Sequence, residues 1–169
     1  PAAYRDNPLI DACGPILGDR DLVKQLLSLP PLPSCSTELA PHIAMHELAN
    51  FWRLHIPTAP GLAVAQTMDM MLRQGYVHRR PGDPVTRRML SGLPAVHTET
   101  SPIQLAAAVC GMSGMGKSQA IERALALKQQ VVVHRHLPSL EGSVKQLVWL
   151  KIDVPESGKL ADLADALLR

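Results

Sequence analysis

The chain has 169 residues, a formal net charge of +2, 46% hydrophobic residues and only 3% aromatic ones. That is enough apolar material for one core of Leu, Val, Ala and Met, and a charge too balanced to argue for nucleic acid by itself. Cys13, Cys35 and Cys110 are far apart with no C-x-x-C pair, which excludes a disulfide framework and a zinc knuckle and reads as a reducing cytoplasm, while no apolar run approaches the ~20 residues of a membrane span.

Residues 1–36 are punctuated by Pro8, Pro15, Pro30, Pro31 and Pro33. Asp19 to Leu29 has the spacing of a short helix, with Leu22, Leu26 and Leu29 on one face, and the Pro-Pro-Leu-Pro run stops it. The expectation is an extended arm laid over a larger body. Residues 37–56 read as an amphipathic helix with Leu39, Ile43, Ala44, Leu48, Phe51 and Trp52 as its stripe, Pro41 in its first turn and Pro57 ending it. His42 and His46 stand at i, i+4, but without a third ligand they are expected on an ordinary helix face rather than a metal.

Residues 60–75 read as a second helix, striped by Val64, Met68, Met71 and Leu72, with Gly75 as its C′ residue. Met68, Met70 and Met71 are read as gap-filling core. Residues 76–102 carry turn chemistry and are expected to be an irregular linker. Its Arg79, Arg80, Arg87 and Arg88, four arginines within ten residues, form the dense basic patch of the chain. They are candidates for contact with DNA phosphates or with a nucleotide, weighed against a solvated loop with structural ion pairs.

The strongest motif follows an apolar run that ends at Cys110. Gly111-Met112-Ser113-Gly114-Met115-Gly116-Lys117-Ser118 matches G-x-x-x-x-G-K-[ST] at every fixed position. The expected context is strand 103–110, loop, then helix 119–128 with Ile121, Ala124 and Leu125 facing inward. A loop that wraps a phosphate needs backbone free of Cβ atoms, which Gly111, Gly114 and Gly116 supply. The amides of Ser113, Gly114, Met115, Gly116, Lys117 and Ser118, and onward to Gln119, converge on the β-phosphate, and the helix dipole adds to them. Lys117 brings a mobile cation to the β- and γ-phosphates, and the Ser118 hydroxyl completes a Mg²⁺ shell. The cofactors expected are therefore ATP and Mg²⁺.

Beyond the motif, residues 130–136 and 145–154 read as strands and 158–169 as a helix with Leu160, Leu163, Leu167 and Leu168 inward. Strand and helix alternate, so the fold class expected is α/β: an incomplete, mostly parallel P-loop NTPase sheet, AAA+-like, preceded by a small helical segment. Two units are expected, an N-terminal arm and helical segment with its basic linker over 1–102, and the first part of the ATPase domain over 103–169. Hydrolysis needs an acid at the end of a hydrophobic strand. The candidate is Asp153, but Lys151 interrupts its strand and Val154 follows it, so the Walker B acids are expected beyond residue 169. The chain also opens without Met and stops inside a helical pattern, and it is expected to be a piece of something longer that binds nucleotide and turns it over feebly or not at all.

From the P-loop to Leu160 the chain resembles the AAA+ ATPases of bacterial transposition, the TnsC/TniB family. The residues that carry the resemblance are the P-loop with Ile121-Glu122-Arg123 behind it, Gln130-Val131-Val132-Val133-His134, Gln146-Leu147-Val148-Trp149-Leu150-Lys151-Ile152-Asp153-Val154-Pro155, and Ser157-Gly158-Lys159-Leu160. Upstream, Asn7-Pro8-Leu9-Ile10 and Gly75-Tyr76-Val77-His78-Arg79 look like the family's N-terminal segments. The resemblance implies a bacterial, ATP-switched regulator that assembles as a ring or filament on duplex DNA, receives a TniQ- or TnsD-type target selector and recruits a DDE transposase, in some cases for CRISPR-associated transposons. It departs from the family pattern by lacking the Walker B acids, sensor 1, the arginine finger and the C-terminal helical part. Two other functions compete: a P-loop kinase of a small metabolite, and a nucleotide-binding scaffold without turnover.

Overall fold

The computed structural model describes residues 1–32, 40–91, 105–137 and 142–168. The elements in chain order are α1 (Pro8–Asp11), α2 (Asp19–Leu26), α3 (Pro41–Ala49), α4 (Ala59–Val77), α5 (Pro84–Leu90), α6 (Lys117–Ala126), β1 (Val131–His134), β2 (Val144–Leu147) and α7 (Leu160–Leu168), with 3₁₀ turns at Ala2–Tyr4 and Asn50–Arg53.

The long helix α4 is the spine. Thr58 caps its first turn by accepting a hydrogen bond from the Gly61 amide at 3.3 Å, and Pro60 sits where a missing N–H costs nothing. It packs along α6, and α1 and α2 also rest on it. Leu22 and Leu26 of α2, Ala65 of α4 and Ala124 of α6 meet as a buried cluster, flanked by Leu17, Leu62, Met68 and Leu127. The small Ala65 and Ala124 allow the two helix backbones to approach closely.

The N-terminal segment is more than an arm. Ile10 is 1% exposed and Asn7 is fully buried. The Asn7 carboxamide caps α1 by accepting from the Leu9 amide at 3.1 Å and donates to the Tyr76 carbonyl at 2.8 Å. That second bond explains why α4 does not stop at Gly75. The helix runs on to Val77, with His78 as its C-cap, because Tyr76 is held from both ends: its carbonyl by Asn7 and its hydroxyl by donation to the Leu147 carbonyl at 3.0 Å. Residues 84–90 are likewise helical rather than irregular; Pro84 opens α5 and Arg87 and Arg88 close it, where cations favour the helix dipole.

β1 and β2 form a two-stranded antiparallel sheet with Val131 opposite Leu147 and His134 opposite Val144. The parallel pairing expected from the sequence does not hold for these two strands. Nine residues, 135–143, join them, fewer than the dozen or more a parallel crossover needs, so a hairpin is the pairing this connection can make. Val148 extends the ladder by donating to the Gln130 carbonyl at 2.8 Å, but 149–154 carry no strand. Residues 105–110 likewise have no ladder partner among the described residues, and 103–104 lie outside them.

Two expected inward faces point to solvent. The α3 stripe has no buried residue, and Trp52 is 89% exposed; Leu39 lies outside the described residues. Helix α7 also buries nothing, with Leu160 and Leu168 both 84% exposed. Cys13 and Cys110 are free thiols; Cys35 lies outside the described residues. No described helix is long and apolar enough to cross a membrane.

Candidate functional site

The P-loop leads directly into α6. Gly114 and Gly116 take the left-handed backbone, with φ of 80° and 79°, and Gly116 is the N-cap of the helix. A Cβ would meet nothing within 4 Å at either position, so it is the backbone angle that calls for glycine there. The Lys117 ammonium folds back over the loop and donates to the carbonyls of Gly111 at 2.8 Å and Met112 at 2.7 Å. The loop is exposed from Gly111 to Gly116, as are Ser118 and Gln119, so its amides are open to an incoming anion. Ser113, Gly114, Met115 and Gly116 thus stand together at the N-terminus of α6, as the motif required.

Beside this loop lies a cavity of about 490 Å³. The P-loop supplies one wall through Gly111, Met115 and Lys117; the opposite wall comes from residues 55–64. Lys117 and Arg123 are its cations, and no Asp or Glu lines it. Arg123 enters from sequence only as the end of the Ile121-Glu122-Arg123 stretch behind the P-loop, with no role of its own. Its signal was available in the spacing: Gly116, Ala120 and Arg123 fall at i, i+4 and i+7, one face of α6. His55 on the facing wall had no such signal. Burial and the nearby Arg123 charge push its imidazole below the ordinary histidine range.

The opposite end of α6 is anchored by a buried charge network. Arg73 of α4 is 3% exposed and grips Asp69 through two hydrogen bonds of 2.8 and 3.0 Å, while the Lys128 ammonium reaches the same carboxylate at 2.6 Å. The spare donors go to backbone: Arg73 to the Gly14 carbonyl at 2.8 Å and Lys128 to the Cys13 carbonyl at 2.9 Å. Burial raises the Asp69 carboxyl, but the hydrogen bonds and charges of Arg73 and Lys128 outweigh it and hold the group below the usual carboxylate range. Burial pushes the Cys13 thiol up despite the two cations, so it stays protonated and packs as a small apolar group, donating to the Leu9 carbonyl at 3.5 Å.

On the adjoining face of α6, Lys151 donates to the Glu122 carboxylate at 2.6 Å. Trp149 donates to the Lys128 carbonyl at 3.2 Å, so the segment after β2 is tied to both the face and the end of α6. Asp153 is exposed, and no described hydrogen bond or ion pair joins it to Ser118. The polar Gln146 turns inward from β2, donating to the Leu9 carbonyl at 3.0 Å and meeting the His134 ring at 2.7 Å. Among the described residues no three His, Cys, Asp or Glu side chains gather as a metal site. The residues do fit a triphosphate, since an exposed amide nest, a lysine and an acid-free cavity share one edge. For Mg²⁺ the protein donor in place is the Ser118 hydroxyl on the first turn of α6.

The four arginines are dispersed. Arg79 lines a different cavity, of about 710 Å³, between α4, α6 and residues 147–152. Arg80 is spent in part on structure, donating to the Arg5 carbonyl at 2.8 Å. Arg87 and Arg88 are exposed on the last turn of α5. None of the four lines the cavity shared with the P-loop.

Neither the protein-family models nor the curated proteins compared with the chain give a match.

Proposed function

We propose that this chain is a nucleoside-triphosphate-binding P-loop module that takes ATP and Mg²⁺. The observation that carries this reading is the pairing of left-handed Gly114 and Gly116 with the start of α6 and with Lys117 poised over the loop. Phosphate oxygens offer Lys117 stronger acceptors than the two carbonyls it now holds, because a hydrogen bond between two charged groups exceeds one to a neutral oxygen. Gly111 through Gln119 cradle the phosphates, and Ser118 supplies the protein ligand to Mg²⁺.

The AAA+ part of the reading rests on the P-loop and the resemblance, and the exposed face of the hairpin is what fits a larger α/β domain around it. Val131, Val133 and Leu147 are exposed on one face of the sheet, while Val132 and Gln146 turn toward the interior. A strand pair with apolar residues on both faces suits a sheet covered from both sides. With the resemblance to the TnsC/TniB family, the function that follows is ATP-dependent regulation of DNA transposition in the bacterial cytoplasm, with the protein assembling on duplex DNA between a target selector and a DDE transposase. Exposed Arg87 and Arg88 are the cations we assign to DNA.

The test is assembly on duplex DNA followed by electron microscopy and fluorescence anisotropy, with and without ATP. Rings or filaments that need ATP are the expected result. Tight ATP binding with neither DNA association nor assembly would leave a nucleotide-binding scaffold and remove the transposition role.

A further inference from the structure

We infer that the cavity of about 490 Å³ beside the P-loop is the nucleoside subsite, so that residues 55–64 of the N-terminal half choose the base that the P-loop cannot see. This rests on the P-loop reading and deepens it. Phosphates held at Gly111 and Lys117 leave the rest of the ligand within a few bond lengths of the cavity these residues line. The two other large cavities touch none of residues 111–118. The volume falls within the roughly 300–1,000 Å³ typical of small-molecule sites.

The chemistry of the walls suits a heterocycle joined to an anion. Ile56, Pro57 and Val64 offer apolar surface on one side, and Lys117 and Arg123 offer cations on the other, with no carboxylate to repel phosphate. The facing wall is held in place. Ser28 and His55 exchange both backbone hydrogen bonds, at 3.0 and 2.9 Å, and Thr58 closes the start of α4 onto Gly61. Burial and Arg123 keep the His55 ring neutral, with one donor and one acceptor for a base edge. An apolar slot of this size favours the larger purine ring, which covers more wall than a pyrimidine does.

Calorimetry of the intact chain with two ligands, Mg·ATP and Mg·tripolyphosphate, separates the nucleoside from its phosphates. Val64→Trp fills the cavity and should weaken ATP at least about tenfold while leaving tripolyphosphate unchanged within about twofold. Should that variant fail to fold, Ile56→Ala changes a residue that is 64% exposed and thermally inexpensive; its expected loss of ATP affinity is about threefold. If ATP binding survives both substitutions in folded protein, or tripolyphosphate weakens in parallel, the subsite lies elsewhere. A Lys117→Ala variant that keeps both ligands would instead remove the P-loop reading itself.

Discussion

Lys117 and Gly111 close the P-loop on itself: the ammonium sits 2.8 Å from the carbonyl oxygen six residues earlier. The cation that a triphosphate needs is therefore already over the loop, engaged by neutral acceptors that phosphate oxygens outcompete. Replacing Lys117 by Ala removes one or two charge-assisted hydrogen bonds, about 2–3 kcal/mol, or roughly 30- to 150-fold in ATP affinity. Titration calorimetry on the variant gives the number, and a thermal melt checks the fold. Because the side chain is at the surface and its partners are loop carbonyls, the melting temperature should hardly move.

Asp69 is where stability is expected to be most sensitive. Changing it to Asn leaves Arg73 and Lys128 buried without their counter-charge, at a cost of about 3 kcal/mol. For a chain of this length that lowers Tm by about 6–12 °C. The pH dependence follows from the depressed carboxyl. The stabilisation is fully present above the unfolded value, about pH 4, and is lost as pH falls through the lower folded value. Melting curves from neutral pH down to about pH 3 should therefore show wild type losing more Tm than Asp69→Asn, with the two converging in acid. A constant gap across that range would mean the carboxylate does not carry the network.

Arg87 and Arg88 are exposed, and no described side-chain hydrogen bond or ion pair holds them to the fold, so their removal tests DNA contact cleanly. If each meets one phosphate, the double Ala variant should reduce the slope of log affinity against log salt by about 2. Arg80→Ala is the contrast, since its bond to the Arg5 carbonyl predicts a loss of stability rather than of salt dependence. An unaltered slope in the Arg87, Arg88 variant would return these side chains to an ordinary solvated helix end.

The P-loop was legible in the sequence because wrapping a phosphate leaves few choices of residue, and the left-handed angles at Gly114 and Gly116 are those the glycines were read to supply. Helices α4 and α6 were legible from apolar spacing to within two residues at each end. Gly75 misled because a glycine stops a helix only when nothing better holds the next turn, and Tyr76 holds it through Asn7 and Leu147. The α7 stripe misled because spacing reports amphipathic character, and a stripe has no way to say what covers it.

The wall of the cavity was illegible for a different reason. Its two sides, His55 and Arg123, are 68 positions apart in the chain. Nothing in a local pattern joins them. The Asp69 and Arg73 spacing at i, i+4 was visible in principle, but the third partner, Lys128, arrives from just past the C-cap of α6. The antiparallel turn of β1 onto β2 also escaped, since two β-branched runs look alike whichever way they pair.

The bond from Gln146 to the Leu9 carbonyl spans 137 residues of chain. On a ribosome adding about 5–20 residues each second, the N-terminal turn must wait roughly 7–27 s for its partner to emerge. Asn7 meets the Tyr76 carbonyl after 69 residues, but the Leu9 carbonyl stays without its Gln146 donor for the whole interval. The turn at Leu9 is thus not fully locked until β2 has been made, and a chaperone that holds this stretch of the nascent chain should raise the yield of folded protein.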